Sequence, residues 1–199
     1  MPLHMPDPPS GVADSVRSTV KQFAGNSHHS LKKLRGASAD HVDVSTPQQV
    51  FTMGVDDISA GAGLDRARPV GWRHLVTAHG KAIASAETTV AHDGKTHVPS
   101  HVDEGPFVDA TADAVAAAQA LPNVAGTDFE MRVLRIPALY FMALWLHSTA
   151  ADLLVPMAPS PIGQEGQAVP AAQVLSELAE RARAMSAPTG PGEPDTHAP

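Results

Sequence analysis

The sequence contains no cysteine, and this absence excludes several classes of protein. Without thiols the chain cannot form a disulfide-stabilised fold, a thiolate metal site or a cysteine nucleophile. Charged residues are also scarce at 18%, compared with roughly 25% in an average soluble domain. Aromatic residues make up only 4%. The longest apolar run covers only residues 136–146, whereas a transmembrane helix needs about 20 residues. We therefore expect no contact with a membrane.

The first residues, MPLHMPDPP, have neither the basic region nor the apolar region of a signal peptide. Export is therefore not indicated. Together with the missing disulfides, this start predicts a soluble cytoplasmic protein.

Large apolar residues are few but unevenly distributed. Leu, Val, Ile and Phe make up about 21% of the chain, while alanine alone accounts for 33 residues. The large residues gather between positions 49 and 157, which predicts a core domain over that range. Around it we expect a flexible, partly helical basic arm over 1–48 and a Pro/Gly linker over 158–170. A C-terminal helix that packs on the core is predicted over 171–186, and a disordered tail over 187–199.

Alternating apolar and polar residues predict strands at 49–58, 72–78, 82–90 and 129–133. The turn His79-Gly80-Lys81 joins the second and third of these strands into a hairpin. A second hairpin is predicted from 139–147 and 153–157. The apolar run 139–147 leaves strand and helix open, although its aromatic residues favour a strand.

Helical spacing is clearest after the sequence DEGP at 103–106, where an apolar face recurs up to residue 121. Further helices are predicted over 171–185 and, more weakly, over 11–24. The order of elements predicts an α+β fold. We expect a mostly antiparallel sheet of about five to six strands, with two main helices on one face and a loose N-terminal helical arm.

Histidine is the most unusual part of the composition, with eleven residues. His92, His97 and His101 lie close to Asp103 and Glu104, and imidazole with carboxylate is a ligand set that a divalent transition metal accepts. This cluster predicts a metal site in a small metal-dependent enzyme. The alternative is a solvated polar loop with no cofactor, in which the Asp-Gly pair at 93–94 forms a turn.

A basic stretch near the N-terminus has no acid between residues 15 and 35. Its five bases could bind an anion, an acidic protein surface or nucleic acid. These bases are Arg17, Lys21, Lys32, Lys33 and Arg35. Nucleic acid is disfavoured, because the acidic central segment would repel phosphates and only Phe23 is interleaved with the bases.

Three aromatic residues, Trp72, Tyr140 and Trp145, have two interpretations. They are either part of the core, which we favour, or a face that binds a protein partner or a second copy of the chain.

Several catalytic motifs are absent. The sequence GKT at 94–96 lacks the earlier glycine of a phosphate-binding loop, and Gly61-Ala-Gly63 lacks the third glycine of a dinucleotide-binding loop. His147, Ser148 and Asp152 lie at a predicted turn, but neighbouring strand residues point to opposite sides, which disfavours a nucleophilic triad.

Four segments of the core resemble segments of uncharacterised proteins from high-GC actinobacteria. These are GWRHLV at 71–76, LRIPALY at 134–140, ALWLH at 143–147 and DLLVP at 152–156. The resemblance covers roughly residues 50–185 and implies no activity or site residue.

The sequence favours a non-catalytic cytoplasmic module that binds a protein partner or itself. The metal-dependent enzyme is the alternative, and anion or nucleic-acid binding through the basic arm is a third hypothesis.

Overall fold

One mixed β-sheet of eight strands dominates the structure, a computed structural model that describes residues 3–28, 30–121 and 128–186. The strands are β1 (Val42–Thr52), β2 (Arg68–Ala78), β3 (Lys81–Val90), β4 (His97–Asp103), β5 (Glu130–Ile136), β6 (Phe141–His147), β7 (Asp152–Pro156) and β8 (Val169–Pro170). The helices are α1 (Val12–Phe23), α2 (Lys32–Arg35), α3 (Val55–Ser59), α4 (Pro106–Gln119) and α5 (Ala171–Ser186). The predicted α+β class is confirmed.

The strand order is β4-β3-β2-β1-β5-β6-β7-β8. Strands β1 and β5 are parallel, and the other neighbouring pairs are antiparallel, as predicted. The predicted number of five to six strands is wrong. Strand β4 lies in the segment interpreted as a polar loop, and β8 lies at the end of the predicted linker.

Most predicted elements form at their expected places. The β2–β3 hairpin turns at His79 and Gly80, whose φ angles of 50° and 76° are those of a type I′ turn. The segment 139–147 is a strand from Phe141 onward, preceded by a 3₁₀ turn. The predicted strand 49–58 is wrong in its second half: β1 ends at Thr52, and α3 follows.

The prediction of two main helices on one face is wrong, because α4 and α5 lie on opposite faces of the sheet. Helix α4 packs against Met131, Val133 and Leu144, whereas α5 packs against Leu134 and Trp145. Neighbouring residues of a strand point to opposite faces. Strand β6 is therefore apolar along nearly its whole length, which is typical of a strand covered on both sides.

The N-terminal helix is packed on the sheet rather than loose. Val16 and Val20 of α1 are fully buried and contact Val76 and Ala84, on the face that also carries α5. The predicted boundary at residue 48 falls inside β1. The predicted tail 187–199 lies outside the described residues. None of the helices in the described ranges has the length and apolar character needed to cross a membrane.

Gly71 marks the closest approach between β2 and β3. A Cβ atom at this position would lie 1.8 Å from the Thr88 carbonyl oxygen, so the two backbones could not keep their spacing. We expect Gly71→Ala to lower the free energy of unfolding by about 3 kcal/mol, since overpacking at a rigid contact forces the backbone apart. Urea unfolding measures the change. Gly54→Ala is the control, because Gly54 has a φ of −76° and a Cβ there would meet only Asp57 Oδ2, at 3.7 Å. If both variants lost the same free energy, the contact with the Thr88 carbonyl would not explain the loss.

The buried His74 should make the stability of the fold sensitive to acid. It is buried on the α1 face, and burial, together with the positive charge of Arg17, lowers its pKa from 6.5 to about 4. Below pH 6.5 the unfolded chain binds a proton that the folded chain does not bind until about pH 4. The free energy of unfolding therefore falls as the pH drops through this window, by about 3 kcal/mol.

We expect His74→Leu to remove the loss of unfolding free energy that protonation of His74 causes between pH 6.5 and pH 4. Urea unfolding of both proteins between pH 7 and pH 4 should show the stability of the variant, relative to the wild type, rising as the pH falls. A constant difference across the window would contradict the assignment.

Candidate functional site

A row of polar residues crosses four neighbouring strands on the α4 face of the sheet. Directly opposite one another are Gln48 of β1, Arg73 of β2, Glu87 of β3 and His101 of β4. Opposite residues of neighbouring strands share a face, so these side chains lie next to each other. Arg135 of β5 reaches the same row from beyond β1.

Glu87 is the centre of this row. Its Oε1 accepts a hydrogen bond from Arg73 Nη1 at 2.7 Å, and its Oε2 accepts one from Arg135 Nη1 at 3.0 Å. His101 Nε2 lies 3.5 Å from Oε2 of Glu87 and 3.0 Å from Oδ2 of Asp103. Arg73 and Glu87 are each only 3% exposed. Their interaction is therefore weakly screened by solvent.

The two guanidinium groups carry more charge than Glu87 can neutralise. An arginine side chain stays protonated in proteins, so one carboxylate faces two positive charges. Two further acids line the same cavity as these guanidinium groups, Asp103 at the end of β4 and Glu104 directly after it. Asp103 contacts His101, and Glu104 Oε1 accepts a hydrogen bond from the Leu34 backbone N–H at 2.7 Å.

A cavity of about 200 Å³ opens beside the two guanidinium groups. Its floor is the sheet, and its rim is the segment that leads into α4. The lining residues are Arg73, Ser85, Glu87, Asp103, Glu104, Gly105, Pro106, Phe107, Val108, Arg135, Tyr140 and Met142. Charged residues of both signs therefore line the cavity beside apolar and aromatic ones.

Three buried polar atoms of the lining have no hydrogen-bond partner within the described chain. They are Nε of Arg73, Nε of Arg135 and Oγ of Ser85. The amide of Gln48, opposite Arg73 in the row, is unpaired in the same way. Buried polar groups in native proteins nearly always have a partner, and those left unpaired are commonly functional. The residues that carry these atoms, two arginines and one serine, all line the cavity.

Tyr140 stands at the mouth of this cavity. Its side chain is 67% exposed, and its ring centroid lies 5.8 Å from that of Phe107. Its φ of 52° and ψ of 39° place it in the left-handed region, which residues other than glycine seldom adopt. Such conformations cluster at ligand sites.

Sequence reasoning missed this site because a bulge sets the register of the β2–β3 hairpin. Next to the turn, Thr77 pairs with Ala82. One residue farther from the turn, Val76 pairs with Ala84, so the pairing is shifted by one residue from there on. Without the shift Arg73 would face Ala86, and Glu87 would point to the other face of the sheet. The available signal was a single charged residue in the interior of each of two strands, Arg73 in β2 and Glu87 in β3.

The predicted metal ligands are only partly brought together. His101 and Asp103 are in contact, while His92 lies in the β3–β4 loop and His97 begins β4. Among residues 3–28, 30–121 and 128–186, no three His, Cys, Asp or Glu side chains could jointly hold a metal ion.

The β3–β4 loop is a hydrogen-bonded turn at the predicted Asp-Gly pair. The carboxylate of Asp93 accepts hydrogen bonds from the Thr96 hydroxyl and from the backbone N–H groups of Lys95 and Thr96. These bonds lower the pKa of Asp93 to about 2. The carboxylate is thereby engaged in holding the turn.

The three aromatic residues considered as a partner-binding face differ in exposure. Trp72 and Trp145 are buried, and only Tyr140 is exposed. Trp145 Nε1 donates a hydrogen bond to Asp152 at 2.8 Å, and the Arg132 guanidinium stacks on the indole ring at 4.8 Å. Both tryptophans are therefore inaccessible to a partner in this structure.

The five predicted anion-binding bases lie on two helices. Arg17 and Lys21 belong to α1, whereas Lys32, Lys33 and Arg35 belong to α2. Arg17 pairs with Asp14 at 2.8 Å, and Lys33 pairs with Asp109 at 3.7 Å. Anion binding by this group stays a prediction.

The residues of the disfavoured nucleophilic triad do not assemble. His147 Nδ1 lies 2.7 Å from Asp152 Oδ1, which forms a His–Asp pair. The Ser148 hydroxyl instead donates to the Ala151 carbonyl at 2.8 Å and accepts from the turn. It is engaged in shaping the β6–β7 turn.

Comparison with family models, with curated proteins and with solved structures finds no match for this chain. The resemblance to actinobacterial proteins stays a prediction.

We expect Glu87→Gln to destabilise the fold by about 3–5 kcal/mol, because it leaves two guanidinium groups without a buried counter-charge. Thermal or urea unfolding measures the loss. The matched control is Glu130→Gln, which removes a carboxylate from a partly exposed pair with Arg132 on β5. That change should cost about 1 kcal/mol or less. Equal losses would show that the position of Glu87 in the row has no special role.

Proposed function

We propose that this protein is a non-catalytic cytoplasmic binding module that holds a small anionic ligand in the cavity beside Arg73 and Arg135. One observation carries the proposal: two arginines that line the same cavity share the single carboxylate of Glu87, and the buried Nε–H of each has no partner within the described chain. The cytoplasmic location stays a prediction from the sequence.

The donor chemistry favours a carboxylate or a phosphate. A guanidinium group carries its N–H donors in a planar fork that matches two oxygens of either group, and such charge-assisted pairs are stronger than neutral hydrogen bonds. The Nη1 atoms of Arg73 and Arg135 are engaged with Glu87, which orients both side chains before a ligand binds. An oriented donor loses less entropy on binding.

The acid and the hydroxyl on the floor of the cavity, Glu87 and Ser85, favour binding over catalysis. A general base needs a free proton-accepting site near the substrate. Both oxygens of Glu87 already accept hydrogen bonds from permanently charged groups. The Ser85 hydroxyl has no base to activate it as a nucleophile, because its Oγ makes no hydrogen bond within the described chain.

The size of the cavity limits the ligand. Its volume of about 200 Å³ is below the roughly 300–1,000 Å³ of pockets for drug-sized molecules. We therefore propose a ligand with few heavy atoms. The protein partner expected from the sequence stays a prediction, and the large apolar side chains found exposed in the described ranges, Val98, Tyr140 and Met185, lie apart along the chain.

Isothermal titration calorimetry with acetate, propionate, butyrate and inorganic phosphate, in a buffer free of other anions of these types, tests the proposal. We expect at least one of them to bind, and Arg135→Gln to weaken that binding about tenfold or more, since a charged hydrogen bond contributes about 1.5–3 kcal/mol.

The matched control is Arg132→Gln. Arg132 lies on the same strand but on the opposite face, and it too is paired with one carboxylate. The control should bind as the wild type does. If no anion binds, or if both variants weaken binding equally, the proposed site is wrong.

A further inference from the structure

We propose that the ligand of this cavity is a small amino carboxylate, with a carboxylate at one end and an ammonium group at the other. The inference rests on the proposed function, because it assigns the carboxylate to the guanidinium groups. It adds a second, cationic point of recognition at the rim.

The two walls of the cavity carry opposite charge. Strands β2 and β5 supply Arg73 and Arg135, and the opposite side is lined by Asp103, the last residue of β4, and by Glu104, which follows it. With Glu87, three acids face two arginines in a cavity of about 200 Å³. A ligand that carried only negative charge would be attracted by the floor and repelled by the rim.

An amino carboxylate resolves this conflict. Charges within a few ångströms of one another attract or repel appreciably near a protein surface. The rim acids therefore add to or subtract from the binding of the carboxylate on the floor. If the ligand carries an ammonium group, the charges of Asp103 and Glu104 favour its binding instead of opposing it.

The rim acids have capacity for an ammonium group. Glu104 Oε1 accepts one backbone N–H, from Leu34, and a carboxylate has about four acceptor positions. Asp103 is more than half exposed at the rim and contacts the His101 imidazole. The rings of Phe107 and Tyr140 line the same side of the cavity, and aromatic faces attract ammonium groups.

A matched ligand series tests the inference by calorimetry. Glycine, β-alanine and 4-aminobutyrate are compared with acetate, propionate and butyrate, which have the same carbon chains but lack the amine. We expect at least one amino carboxylate to bind about tenfold more tightly than its matched acid, and the best chain length to report the distance between the two charged walls.

Glu104→Gln should remove this advantage and leave the affinity for the plain acid unchanged or higher. The Gln side-chain oxygen can still accept the Leu34 N–H, so the variant should keep the local fold. Asp103→Asn is a second variant with the same expectation. Asp109→Asn is the control, because Asp109 lies in the first turn of α4 and pairs with Lys33. It does not line this cavity.

A second readout uses the single tyrosine of the chain. Labelling with 3-fluorotyrosine gives one ¹⁹F signal, from Tyr140 at the mouth of the cavity. The signal should shift on titration with the preferred amino carboxylate in the wild type and in Asp109→Asn, and should not shift in Arg135→Gln.

The outcomes separate the two proposals. If the plain acids bind as tightly as the amino carboxylates, the ammonium assignment is wrong and the anion site stands. If simple amines such as ethylamine bind as tightly as the amino carboxylates and Arg135→Gln has no effect, the inference is overturned. If none of the ligands binds, both proposals fail.

Discussion

The Glu87 carboxylate determines the arrangement of the α4 face of this sheet. Removing a carboxylate and two guanidinium groups from water costs several kcal/mol for each ion, and only close pairing compensates for that cost. Glu87 provides the pairing by contacting arginines from two other strands, β2 and β5. Any displacement of β3 relative to β2 would separate these charges in a poorly hydrated region. The geometry of the cavity therefore depends on this shared carboxylate.

The parallel pair β1–β5 makes this contact possible. It joins the antiparallel group that carries Arg73 and Glu87 to the group that carries Arg135. Helices on both faces then exclude water from the centre of the sheet, which raises the strength of each charged contact. Arg73, Glu87 and Arg135 of the charged row line the cavity under the start of α4, where Tyr140 stands at the mouth.

Much of the fold was predictable from local pattern. The β2–β3 hairpin, α4 and α5 each have a turn or an apolar face that identifies them without reference to the rest of the chain. Strand β4 was not predictable in this way, because its polar residues alternate with small or weakly apolar ones and its pairing with β3 supplies most of its order. The packing of α1 was missed for a related reason. The few valines of α1 form only a narrow apolar stripe, and this stripe is buried only because a face of the sheet packs against it.

The sequence by itself determined the α+β class, the places of the main helices and hairpins, and the exclusion of thiol chemistry, because these depend on composition and on periodicity over a few residues. Only the tertiary structure decided which charged residues meet. Arg73, Glu87 and Arg135 are distant in the chain, and one bulge decides whether Glu87 points to the α4 face or to the opposite one. The period of a strand is two residues, so a shift of one residue reverses every side chain beyond it. The charged site therefore depends on a register that local sequence patterns do not specify.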